Sequence, residues 1–139
     1  SSDVCSSDLG DYVLCAAQWH KSLAYSVDHF GSGRDYAKLF ESIYNYDPPY
    51  QAAESSAALL VWKDAFERAG TTDKEKVRDA IAETDMMTFY GPVKFNAQGQ
   101  NTSKPMVLFQ VQDGKNNVVA PTKWAEAKLI YPTPKWSER

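Results

Sequence analysis

The stretch Pro48 to Gly70, PPYQAAESSAALLVWKDAFERAG, decides how this chain is read. Two prolines break what precedes, and about twenty residues poor in strong helix breakers follow. Ala52, Ser55, Leu59, Trp62, Phe66 and Ala69 recur at alternating spacings of three and four, which predicts a long helix over 50–69 with those residues as its core stripe. Gly70 stands where a left-handed C-terminal cap belongs. Downstream, Thr72-Asp73-Lys74-Glu75 has the form of a capping box and opens a third helix over 73–83, with Val77, Ala80 and Ile81 inward. Upstream, Tyr36, Leu39, Phe40, Ile43 and Tyr44 share one face of a helix over 35–46. Asp47-Pro48-Pro49 ends it, because proline disfavours helical geometry in the residue before it.

Strands surround these helices. Asp11–Ala17 is a short, nearly continuous apolar run, consistent with a strand buried on both faces of a parallel sheet. Gln18–Gly33 reads as a loop or crossover. Phe89–Asn96 alternates around Gly91-Pro92, and Ala97–Gln100 has turn composition. Met106–Gln112 has strand composition, Asp113-Gly114 signals a hairpin turn, and Asn117–Ala120 supplies its partner. Thr122–Arg139 reads as an extended surface tail anchored by Trp124, Tyr131 and Trp136.

Composition narrows the function classes. With 43% hydrophobic and 24% charged residues, the chain has the make-up of a soluble globular protein. Its net charge of −3 gives no clustered basic footprint for nucleic acid. No run approaches the ~18 apolar residues of a membrane span, and no signal peptide is visible. Ser1–Leu9, SSDVCSSDL, resembles the translated end of a sequencing adapter and is set aside as an artefact expected to be disordered. Without Asp3 and Asp8 the acidic total of 18 falls to 16 against 15 basic residues, and the charge becomes −1. Cys15 is then a lone cysteine in an apolar run, read as a small core residue. No disulfide follows from it, and the redox compartment stays open.

Few residues carry chemistry. His20 and His29 are the only histidines, nine residues apart with no ligand-spaced partner, so no metal site is expected. No phosphate loop or nucleophile elbow is present, and no base is placed to activate Ser55 or Ser56. An enzyme is therefore not expected, nor a cofactor. Trp19 directly follows the first strand, and open α/β sheets bind ligands at the carboxyl ends of their strands. It either borders a ligand or packs between loop and core. Glu54, Ser55 and Ser56 occupy the first turns of the long helix, whose free amides favour polar partners. They either contact a ligand or are solvated and close-packed.

The ordered set of a strand followed by tryptophan, the Pro-x-Tyr helix ending Glu-Arg-Ala-Gly, and the Gly91-Pro-Val-Lys-Phe-Asn-x-x-Gly-Gln100 hairpin resembles the C-terminal third of type I periplasmic binding proteins. These are the leucine/isoleucine/valine-binding class that feeds ABC transporters. The resemblance covers Gly10–Trp136 and implies an α/β chain forming part of a two-lobe fold. Helices would pack on an incomplete, mainly parallel sheet, with a C-terminal hairpin and an extended tail. It implies that residues 10–30 end the second lobe and cross over, 31–103 complete the first lobe, and 104–139 return to the second. On this reading the sequence is a fragment. The implied function is solute binding for an ABC importer, with amino acids or related small carboxylates or amides as ligands and permease subunits as partners. The implied location is the periplasm, or the cell exterior on a lipid anchor. A ligand-sensing receptor or regulatory domain of the same fold is the alternative. Ser56 stands where the family often presents a tyrosine to the ligand, which implies a roomier or more polar pocket.

Overall fold

A computed structural model describes residues 10–135 and 137. The readings of Ser1–Leu9 and of Trp136 as an anchor lie outside these residues. In chain order the elements are β1 (Leu14–Ala17), a two-residue ribbon β2 (Ser26–Val27) and β3 (Gly31–Ser32), then helices α1 (Gly33–Tyr44), α2 (Tyr50–Ala69) and α3 (Lys74–Ala82). Hairpins β4 (Asp85–Thr88) with β5 (Gly91–Lys94), and β6 (Val107–Gln112) with β7 (Lys115–Ala120), complete the order.

Local signals mark several of the helix ends. Ser32 and Asp35 form a reciprocal capping box on α1, and Asn45 closes it in the left-handed region at φ 61°. Gly70 closes α2 at φ 60°, as expected for a residue without a Cβ. On α3 the cap is Asp73, whose side chain accepts from the Lys76 amide. Thr71 in turn accepts from the Asp73 amide. The capping box read from Thr72 is therefore displaced by one residue, because aspartate caps at least as well as threonine.

The face that α2 buries differs from the predicted one. Ala53, Ala57, Leu60, Val61 and Ala65 point inward, whereas Leu59, Trp62 and Phe66 are 70%, 48% and 40% exposed. Apolar residues lie on both sides of this helix, so periodicity alone fits two stripes. The small residues won because they admit close approach to the aromatic core. Something similar happens on α1. Tyr36 is buried and Phe40 packs against the core, but Leu39, Ile43 and Tyr44 are exposed, since the core underlies only the first half of that helix.

The described sheets run in order β1-β6-β7, β2-β3 and β4-β5. All their pairings are antiparallel, which corrects the mainly parallel expectation. The described neighbour of β1 is the returning strand β6, which runs the opposite way. β1 is also not buried on both faces, for Val13 and Leu14 are about two-fifths exposed, and Cys15 is half-buried. The strand predicted over 89–96 begins only at Gly91, because Phe89 and Tyr90 form the turn from β4. Thr88 turns the chain by accepting the Tyr90 and Gly91 amides, both at 3.2 Å, and donating to the Gly91 carbonyl at 2.8 Å. Between β6 and β7, Asp113 and Gly114 both have positive φ, the primed turn whose twist matches the flanking strands.

The core is aromatic. Phe89, at 0% exposure, stacks on Tyr36 at 4.3 Å and meets Phe30 and Trp19 edge-on at 5.3 and 6.3 Å. Leu23, Ala53, Ala57, Val107 and Val118 close around this cluster. The tail is held otherwise than predicted. Trp124 packs edge-on against Tyr25 at 5.4 Å, but Tyr131 is 79% exposed. The buried Gln110 side chain takes over the anchoring. It donates to the Ile130 carbonyl at 3.1 Å and accepts from the Ile130 amide at 2.9 Å.

Candidate ligand-binding site

A cleft of ≈ 740 Å³ opens where three parts of the fold meet. The segment leaving β1 contributes Trp19, His20 and Lys21. The link into α2 brings Asp47 to Gln51, and the β6–β7 hairpin brings Phe109 and Gly114 to Asn117. Glu126 from the tail closes one side. Pro49 caps α2 with no side-chain bond, so the first amides of a twenty-residue helix are left without a side-chain cap at the cleft rim.

Trp19 is both core and wall. Its indole is 4% exposed, stands edge-on to Tyr36 at 6.0 Å, and donates to the Phe89 carbonyl at 3.3 Å. The other residues singled out in the sequence do not line the cleft. Glu54 is solvent-exposed. Ser55 donates to the Gln51 carbonyl one turn back at 2.9 Å. Ser56 is half-buried and shares a 3.0 Å hydrogen bond with the Tyr36 hydroxyl. The start of α2 reaches the cleft one turn earlier than anticipated, through Tyr50 and Gln51.

Besides Lys115, the charges at the cleft are arranged in two groups. Lys21 and Asp47 form an ion pair. Glu126 lies 2.9 Å from Arg34 and 3.3 Å from His20 Nδ1. Burial pushes the His20 pKa below its usual value, and the Glu126 carboxylate only partly offsets this. His20 is therefore neutral at pH 7. Its Nδ1 accepts from the Ser22 amide at 3.3 Å and bonds the Ser22 hydroxyl at 2.8 Å, which leaves the proton on Nε2. The short contact with Glu126 becomes an ion pair only on protonation. Because the unfolded histidine takes up its proton first, stability is full above about pH 6.5 and falls as the pH drops below it. Following the ring protons by NMR, Glu126→Gln should move the His20 midpoint further down, since it removes the one neighbour that most favours the charged form. An unmoved or raised midpoint would show that Glu126 does not act on the ring.

Among the described residues, no group of three or more His, Cys, Asp or Glu side chains is placed to hold a metal ion. What the cleft offers is an aromatic wall, amide side chains and paired charges, the elements of a small-molecule binding site.

A sequence model of the periplasmic binding protein family matches residues 7–116. The chain belongs to that family. Among solved structures it is similar to a leucine binding protein from Thermotoga maritima, at 23% identity and a TM-score of 0.67, over 79% of this chain and 30% of that one. It is also similar to an ABC-transporter solute binding protein from R. palustris in complex with benzoate, at 17% identity and a TM-score of 0.69, over 84% of this chain and 31% of that one. A protein of Saccharomyces cerevisiae, YOR389W, is 28% identical over 91 residues, which is 66% of this chain and 13% of that protein. The fold is thus a part of the type I periplasmic-binding-protein fold. The chain spans about three tenths of the length of the solved proteins named here. No helix among the described residues is long and apolar enough to cross a membrane.

Of the cleft residues, Trp19 was legible in the sequence from its place after the first strand. Lys21, Gln51, Asn117 and Glu126 were not. Asp47-Pro48-Pro49 reads locally as a helix stop, yet a link leading into α2 is itself a signal of a helix start facing a junction.

Proposed function

We propose that this chain supplies part of the solute site of an ABC-importer binding protein acting outside the cytoplasmic membrane. The ligand is an amino acid or a related small carboxylate or amide. The observation that carries this is the cleft itself. It lies between the β1-β6-β7 sheet, with Trp19 to Lys21 following β1, and the α1–α2 link that leads into the uncapped start of α2. Residues 10–30 and 104–139 form one lobe in this reading and residues 31–103 the other. The pairing of β1 with the distant β6 supports that division.

The ligand classes follow from the lining. Trp19, Tyr50 and Phe109 suit an apolar or aromatic body, and Lys21 with the α2 amides suits a carboxylate. The benzoate and leucine of the similar proteins have those two parts in common. Glu54, Ser55 and Ser56 lie further along α2, outside the cleft lining, and enter this proposal only as neighbours of Tyr50 and Gln51. Ser56 is held by Tyr36, and its replacement by tyrosine would have to displace that contact.

Lys21 and Asp47 are 35% and 59% exposed in this chain, so their contacts with a solute are weakened by hydration. The chain alone should therefore bind leucine or benzoate with a dissociation constant of about 1 mM or weaker. NMR titration should move signals of Trp19, Lys21, Gln51 and Asn117 together, and Lys21→Met should abolish the benzoate response. Micromolar affinity would overturn the expectation that hydration of these charges keeps the chain alone a weak binder. No shifts at those positions for any amino acid, amide or aromatic acid would overturn the site.

A further inference from the structure

Lys104 lies outside the cleft wall, yet it contacts Gln18, the residue just before Trp19. Its ammonium donates to the Gln18 carbonyl and sits 3.6 Å from the centre of the Tyr90 ring. The Tyr90 hydroxyl donates to Gln18 Oε1 at 3.1 Å. Gln18 is therefore held twice, through its backbone and through its side chain, by two segments distant in sequence. The next three residues, Trp19, His20 and Lys21, line the cleft, and neither Lys104 nor Tyr90 does.

Gly91 makes room for this arrangement. Its φ is +135°, and a Cβ there would lie 3.2 Å from Lys104 Cε and 3.2 Å from Tyr25 Cε2. The lysine stem thus runs through space that only glycine leaves open. Burial pushes the Lys104 pKa down to about 8, with Glu54 opposing the shift, so the ammonium is still the main form at neutral pH. A half-buried ammonium needs partners to offset lost hydration. The Gln18 carbonyl and the Tyr90 face supply them.

We propose that Lys104 is a positioning residue for the cleft, acting through Gln18 and Tyr90 to fix the path of Trp19 to Lys21. The proposal rests on the solute-binding reading for its purpose, but its test needs no solute. The reporters are the Trp19 indole proton, bonded to the Phe89 carbonyl at 3.3 Å, and the Leu23 amide, bonded to the His20 carbonyl at 3.0 Å.

Hydrogen exchange by NMR on the solute-free chain should show both protons exchanging roughly tenfold faster in Lys104→Met, from the loss of one charge-assisted bond. Amides of the β6–β7 hairpin should be unchanged. Lys104→Arg, which keeps a donor and a cation for the ring, should restore the wild-type rates. Tyr90→Phe, which removes only the bond to Gln18 Oε1, should accelerate the same two protons by a few-fold. Wild-type rates in Lys104→Met, equal acceleration throughout the chain, or no rescue by arginine would each overturn the proposal. Should Lys104→Met fail to fold, Tyr90→Phe and Lys104→Arg decide it, and unaltered local rates in Tyr90→Phe would overturn it. A rigid segment in a chain that binds no solute would refute the function and leave the clamp standing.

Discussion

Phe89→Ala should lower the stability of this chain by about 3–5 kcal/mol, the range for removing a fully buried phenylalanine. The side chain is wholly inaccessible and has Tyr36 on one face, with Phe30 and Trp19 meeting it edge-on. Removing it opens a cavity among rigid rings that cannot collapse to fill it, and each lost aromatic pair adds to the transfer cost. Domains of this kind are stable by only ~5–15 kcal/mol, so the variant sits near the folding limit. Trp19 would lose the ring beneath its edge, and its emission should shift to the red. Phe66→Ala is the control. At 40% exposure, with Trp62 as its ring partner at 5.6 Å, it should cost only roughly 1 kcal/mol. Urea denaturation of both variants measures the contrast. Equal costs would mean that the outward face of α2 matters as much as the aromatic core, and that the stripe read from periodicity was right.

That contrast shows what the sequence did and did not disclose. The limits of α2 were legible because Pro48-Pro49 and Gly70 act locally, through backbone geometry that needs no tertiary partner. The inward face was not. Leu59, Trp62 and Phe66 fit one helical stripe, while Ala53, Ala57, Leu60, Val61 and Ala65 fit another, and amphipathic reasoning favours the bulkier set. Which set turns inward depends on what lies opposite, here a cluster of rings that leaves room only for small side chains. The same limit applies to strand direction. The composition of β1 predicts a strand, but pairing with β6 is a long-range choice across the whole helical segment. At the cleft, the place of Trp19 after a strand singles it out in the sequence, and the structure has it in the core as well as in the cleft wall. Glu126 and Asn117 sit in a tail and a hairpin with no local pattern, and only the fold brings Glu126 to His20 and Asn117 into the same cleft as Tyr50. The family resemblance conveyed the architecture as a whole, which local signals alone did not.

Gln110 was also read only as part of a strand, and the second large effect is expected there. Its side chain is 0% exposed, yet it serves as an extra rung between β6 and the tail. It donates to the Tyr12 carbonyl at 3.2 Å and to the Ile130 carbonyl at 3.1 Å, and accepts from the Ile130 amide at 2.9 Å. Its Oε1 also accepts from the Gln112 side-chain Nε2 at 2.8 Å, and the same Nε2 donates to the Lys128 carbonyl at 2.9 Å. Gln110→Leu keeps the volume but removes every one of these partners. Both Ile130 groups would then be unpaired or forced into water, at about 1–3 kcal/mol for each that stays buried. The chain can avoid that cost by letting the tail come away from the sheet. The expected result is therefore local. Residues 125–135 should become open to limited proteolysis, while the β1–β6 pairing and the aromatic core persist, with a total loss of roughly 2–4 kcal/mol when the released contacts are included. Gln110→Glu discriminates between shape and hydrogen bonding, because a carboxylate can still accept from the Ile130 amide but cannot donate to the two carbonyls. It should release the tail as well. Proteolysis at the wild-type rate in both variants would show that the tail is held by its other contacts, Trp124 on Tyr25, Gln112 on Lys128 and Glu126 on Arg34, and that the buried amide contributes nothing the strand could not do without.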